Sequence, residues 1–141
     1  MHNLFSKIIL ILLMLFSLHS TESKAQIQNY RATSYAYKYV SSSGYWTDWS
    51  DWINCNISVV MNLNTDRIFI YSKKTQIYVV VVAEDAYRDA SGGYQVPFKV
   101  IDQDGDRGTL RLRVDPSGTI QLYVDFADIR WVYNLTGNSY Y

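Results

Sequence analysis

Histidine and cysteine are nearly missing from this 141-residue chain, which holds two of the first and one of the second. A lone cysteine, Cys55, cannot form an internal disulfide, so this is not a disulfide-stapled miniprotein and its stability must come from a core. Cys55 falls on an apolar strand face and reads as a small buried hydrophobe, with an intermolecular bridge the less favoured use. An excess of either charge is missing too, because 13 Lys and Arg face 13 Asp and Glu. Without a basic cluster there is no electrostatic footprint for nucleic acid or an anionic membrane. Long apolar runs are also lacking: the longest, residues 8–16, is far short of the roughly 20 residues that span a bilayer.

That short run has a different reading. Lys7 precedes it, and Ser23-Lys24-Ala25 follows with small residues at the −3 and −1 positions of a signal-peptidase site. Residues 1–25 are therefore expected to be a cleaved signal peptide, residues 26–141 a single domain, and the location secreted or periplasmic. No cysteine lies near the cleavage site to carry a lipid, and no membrane span is expected after cleavage. His2 and His19 would both leave with the signal, so the mature domain would have no imidazole. That excludes Ser-His-Asp and Cys-His catalysis and the commonest zinc ligand. Losing Lys7 and Lys24 against Glu22 leaves 11 basic and 12 acidic residues, a net charge near −1. No catalytic residue, metal or cofactor is expected, and binding is the better expectation than catalysis.

Aromatics are what the chain has in plenty: all 13 Tyr and all 4 Trp lie beyond residue 25. Apolar residues recur with period two, the mark of strands, and helical periodicity is nearly absent. In residues 30–40, Tyr35, Tyr37 and Tyr39 share one face, opposite Ala36, Lys38 and Val40. Residues 53–63 align Ile53, Cys55, Ile57, Val59, Met61 and Leu63, and residues 67–71 follow a turn at 64–66. Residues 76–83 contain Val79-Val80-Val81-Val82, which suits a central strand covered on both faces. Residues 84–93 read as a loop. Residues 94–101 form a strand in which Pro97 implies an edge or a bulge.

Residues 109–115 and 119–125 bracket Pro116-Ser117-Gly118, a three-residue hairpin loop with Gly118 at the positive-φ position. Opposing Asp115 with Thr119 makes Val114–Ile120, Leu112–Leu122 and Leu110–Val124 apolar pairs, with Arg113–Gln121, Arg111–Tyr123 and Thr109–Asp125 on the other face. A slip of one residue would bury arginines, so the register is strongly specified. A last strand aligns Ile129, Trp131, Tyr133 and Leu135. Short connections favour an all-β antiparallel meander of seven to eight strands, the upper number if residues 45–52 are extended. A small barrel is the first expectation and a two-sheet β-sandwich the alternative.

Several motifs bear on chemistry. Asp102, Asp104, Gly105 and Asp106 resemble the start of a calcium loop, but Arg107 and Arg113 stand where that loop needs glycine and a bidentate glutamate. Asp104-Gly105 is instead a good turn pair. Glu84, Asp85 and Asp89 share a loop and could supply an acid/base pair, though loop carboxylates are usually just solvated. Asn56-Ile57-Ser58 and Asn134-Leu135-Thr136 match the glycosylation acceptor, but both sit in predicted strands.

Trp46, Trp49, Trp52 and Cys55 recur at intervals of three. This resembles the opening of a thrombospondin type 1 repeat, whose stacked tryptophans interleave with arginines, for which Arg111 and Arg113 are candidates here. The chain departs from that family in lacking its three disulfides. Gly44-Tyr45-Trp46 is similar to the G-x-W that opens the first strand of lipocalins, where an arginine of the last strand packs over the tryptophan; Arg130 stands in the last strand here. The family's usual cysteines and long helix are missing. The chain also looks like small secreted β-proteins of gut bacteria with a lipocalin-like barrel, and that resemblance implies an apolar or aromatic-lined ligand cavity.

The expected function is a secreted or periplasmic non-enzymatic binding protein for a small apolar or aromatic ligand or a carbohydrate. Trp46, Trp49 and Trp52 would form a stacking platform, with Arg111 and Tyr123 supplying polar contacts. The alternative is a protein–protein module, inhibitor or adhesin-like, using the 30–39 edge strand for β-addition. A filled interior with an exposed aromatic patch would favour the second, an enclosed pocket the first.

Overall fold

A computed structural model describes residues 27–137. Its nine strands run β1 (Ile27–Tyr39), β2 (Ile53–Asn62), β3 (Arg67–Ile70), β4 (Gln76–Ala83), β5 (Tyr87–Arg88), β6 (Tyr94–Ile101), β7 (Arg107–Val114), β8 (Ile120–Asp125) and β9 (Ile129–Gly137). Sheet order is β4-β3-β2-β1-β9-β8-β7-β6-β5, and β4 also pairs with β6. That extra pairing closes eight antiparallel strands into a barrel, with β5 a two-residue addition beside β6. The all-β meander is therefore a closed barrel that fits a small lipocalin-like fold, and the two-sheet sandwich is not what forms. The predicted signal segment, residues 1–25, lies outside the described residues.

Alternation places the core. Val59 and Met61 of β2, Ile68 and Ile70 of β3, Phe98 and Val100 of β6, Leu110 and Leu112 of β7, and Leu122 and Val124 of β8 all point inward and are at most 2% exposed. Eight strands enclose a bore just wide enough for such side chains to fill. The β7–β8 hairpin takes the predicted register, pairing Val114 with Ile120, Leu112 with Leu122 and Leu110 with Val124. Asp115 N–H donates to the Thr119 carbonyl at 3.0 Å, and Gly118 adopts φ 90°. Cys55 sits half-buried against the core, with its thiol aimed at the Ala32 carbonyl at 3.5 Å, and burial raises its pKa.

Three expectations are corrected. The valine run of β4 is not covered on both faces: Val81 and Val82 are about half exposed (54% and 50%), because a single-layer barrel packs only its inner face. A bulge between Val80 and Val82 breaks the alternation there. Secondly, β1 is not an edge, since β2 flanks it on one side and β9 on the other. Closure removes the strand on which β-addition was to rest. Thirdly, residues 45–52 add no barrel strand; they form an arm joined to β1 by one isolated bridge, Val40–Trp46, and by irregular hydrogen bonds.

Pro97 lies at an interruption, as predicted. Its carbonyl accepts from Glu84 N–H at 2.9 Å, so its nitrogen faces the same side, into the gap between β4 and β5 where no donor is required. A bulge between Ala32 and Ser34 switches the inward face of β1 from Tyr30 and Ala32 to Tyr35. Ala36 and Lys38 thereby face outward beneath the arm.

Candidate functional site

The outer wall across β1, β9, β8, β7 and β6 carries three cross-strand rows. Ser34, Asn134, Gln121, Arg113 and Gln95 lie side by side; Ala36, Val132, Tyr123, Arg111 and Pro97 form the next row; Lys38, Arg130, Asp125, Thr109 and Lys99 the third. Two flaps flank this wall, the 45–52 arm on the β1 side and the β4–β6 excursion on the other.

The arm is held by a repeat. Trp46-Thr47-Asp48 and Trp49-Ser50-Asp51 are two copies of Trp, hydroxyl, Asp. Thr47 N–H donates to the Tyr39 carbonyl at 2.8 Å, while Tyr39 N–H donates to Thr47 Oγ1 at 3.1 Å. One triplet later, Ser50 N–H donates to the Tyr37 carbonyl at 2.8 Å and Tyr37 N–H to Ser50 Oγ at 3.0 Å. The hydroxyls thus satisfy the donors that β2 leaves open along β1. Trp52 begins a third triplet with no hydroxyl after it, and there β2 starts, pairing Ile53 with Tyr35.

The rings interleave with cations. Lys38 Nζ lies 5.6 Å from the Trp46 ring and 4.8 Å from the Trp49 ring. Arg130, on the last strand, stacks over Trp46 at 4.5 Å. Trp49 meets Tyr123 edge-on at 6.4 Å, and Arg111 covers Tyr123 at 4.4 Å. Four of the five expected site residues are thus joined in one ladder: Trp46, Trp49, Tyr123 and Arg111. Trp52 is not joined; it makes no ring or cation contact among the described residues and is 51% exposed. The tryptophans take their cations from Lys38 and Arg130 rather than from Arg111 and Arg113. Lys38 was the residue sequence reasoning missed, and its alternation opposite Tyr37 and Tyr39 was the signal for it.

Arg111 and Arg113 serve a second network. Arg111 Nε bonds Asp125 Oδ2 at 2.5 Å and its Nη1 bonds Gln95 Oε1 at 2.6 Å. Burial opposes its charge, but Asp125 outweighs that and raises the guanidinium pKa. Arg113 Nε bonds Asp89 Oδ2 at 2.7 Å, which also accepts from Gln95 Nε2 at 3.0 Å. Asp89 Oδ1 accepts from Ser91 and Gly93 N–H, each at 3.0 Å. Arg113, then Gln95, hold the Asp89 carboxyl well below the usual carboxylate range. Glu84 instead pairs with Lys99 at 3.5 Å. Glu84 and Asp89 are therefore taken up by separate cations, and Asp85 is exposed with no ion pair among the described residues, so the structure brings no two of these carboxylates together as an acid/base pair.

At the end of the barrel where β1 finishes, an open cleft of about 360 Å³ lies between the β3–β4, β6–β7 and β8–β9 turns, with Tyr78, Phe126 and Trp131 among its walls. The carboxylates of Asp102, Asp104 and Asp106 converge within 4.8 Å at its rim. Asp102 Oδ1 there accepts from Asp104 N–H at 2.9 Å and Asp106 N–H at 2.8 Å, and Gly105 takes φ 85°. This is a hairpin turn, as the Asp104-Gly105 pair implied. Comparison with models of known protein families, with curated proteins and with solved structures finds no match to this chain.

Proposed function

We propose that this is a non-enzymatic binding protein, acting outside the cytoplasm, that recognises a protein partner through the aromatic arm on its outer wall. One observation carries the reading: large apolar side chains occupy the barrel, while Tyr45, Trp46, Trp49 and Trp52 stand exposed on a segment fixed by hydroxyl bonds and cation–π stacking. A rigid exposed aromatic surface loses little entropy on binding and offers large contact area, which is why Trp and Tyr dominate interface hot spots. The absence of a free β1 edge directs recognition to side chains of the arm rather than to strand addition.

The test uses Trp49→Ala and Trp52→Ala against peptide and glycan arrays, with tryptophan fluorescence following each hit. Both variants are expected to keep the thermal melt and lose binding. Undiminished binding in both variants would overturn the reading, and a Trp49→Ala chain that fails to fold would leave Trp52→Ala to decide. A second reading, a small aromatic or carbohydrate ligand in the barrel mouth, draws on the Tyr78, Phe126 and Trp131 walls of the cleft. Binding that survives loss of Trp52 but not Phe126→Ala would favour it.

A further inference from the structure

Resting on that reading, we infer that the arm accepts an extended peptide bearing Lys or Arg at alternate positions. Thr47 bonds to Tyr39, Ser50 to Tyr37, and Ile53 pairs with Tyr35, so three arm residues advance for every two of β1. Two strand residues rise about 6.7 Å. Trp46, Trp49 and Trp52, one per triplet, therefore repeat at the backbone spacing that separates alternate side chains of an extended chain.

Ring chemistry supplies the charge. The rings of Trp46 and Trp49 both meet Lys38, and Trp46 also meets Arg130. These tryptophans act as cation receptors within the fold, and Trp52 carries the same ring with no cation on it among the described residues. Asp48 and Asp51 alternate with the tryptophans, are exposed, and have no ion-pair partner among the described residues. Each of these carboxylates thus stands next in sequence to an exposed indole, Asp48 to Trp49 and Asp51 to Trp52. An ammonium or guanidinium placed there gains both contacts, whereas an acidic or neutral side chain gains one at most. Side chains between the cations point away from the arm and carry no demand.

The experiment titrates the protein with four synthetic peptides of equal length at low ionic strength, reading tryptophan fluorescence and calorimetry. They are alternating Lys-Thr, the same composition as a Lys block and a Thr block, alternating Glu-Thr, and alternating Ser-Thr. The alternating Lys peptide is expected to bind about tenfold more tightly than the block peptide, since it engages more rings at once. Trp52→Ser and the pair Asp48→Asn with Asp51→Asn should each remove most of that advantage. Equal affinity for block and alternating peptides, or full affinity in these variants, would overturn the inference. If a neutral peptide, another protein or a saccharide binds in a Trp52-dependent way while the Lys peptides do not, the inference falls and the arm remains the binding surface. If no ligand of any kind depends on the arm, both fall.

Discussion

Single residues here act mainly through what stands behind them. A methyl group at Gly108 would lie 2.7 Å from the Phe126 ring and 2.8 Å from the Asp125 carbonyl, and backbone cannot step aside. Gly108→Ala should cost about 1–3 kcal/mol by overpacking, read from urea unfolding. At Gly93 the obstacle is the Arg113 guanidinium at 2.6 Å, the end of a flexible side chain, so Gly93→Ala should fold with that arginine displaced from Asp89. Asp89 makes a pH prediction. Its folded pKa is depressed by Arg113 and Gln95, so its contribution to stability is complete above the ordinary aspartate range and fades as pH falls below it. Wild-type stability should drop steeply from about pH 4 to 2, and Asp89→Asn should flatten that slope. Parallel slopes in the two proteins would mean that the Asp89–Arg113 pair does not form in solution.

At the scale of elements, the arm shows what the sequence pattern reveals and what it conceals. The period of three in Trp46, Trp49 and Trp52 is visible in the chain, but which face it serves is not, because a triplet repeat matches neither strand nor helix. Thr47 and Ser50 decide the matter by replacing ladder acceptors, a role that only the neighbouring β1 backbone makes apparent. The β7–β8 hairpin is the opposite case. The Pro116-Ser117-Gly118 loop sets Asp115 opposite Thr119, and arginines at 111 and 113 exclude a slip of one residue, so loop and alternation together make the pairing legible. Lys38 lies between two rings, and its loss should loosen the arm without unfolding the barrel. Lys38→Met is expected to lower stability by no more than about 1–2 kcal/mol while raising amide exchange at Thr47 and Ser50. Unchanged exchange would mean that hydroxyl bonds alone hold the arm.

For the whole molecule, closure was the feature least legible in the sequence. It depends on β4 reaching β6 across the residue 84–93 excursion, and a valine run covered on two faces reads much like one covered on a single face. Closure also bears on the proposed function, because it removes β1 as an edge and leaves the interior to side chains. That filling can be tested directly. Leu122 is fully buried midway along β8, paired with Leu112 across one ladder and Tyr133 across the other. Truncation to alanine removes its packing and leaves a void that these neighbours can only partly close, at a cost of about 2–5 kcal/mol. A void with such apolar walls stays dry and admits xenon or a small arene. Leu122→Ala should therefore bind xenon, seen as methyl chemical-shift changes around residues 110–124, whereas wild type should not. Val82→Thr, on the outward face of β4, should change stability by less than about 0.5 kcal/mol. Xenon uptake by the wild-type barrel would show that room already exists inside it, and would move ligand binding from the arm back toward the barrel mouth.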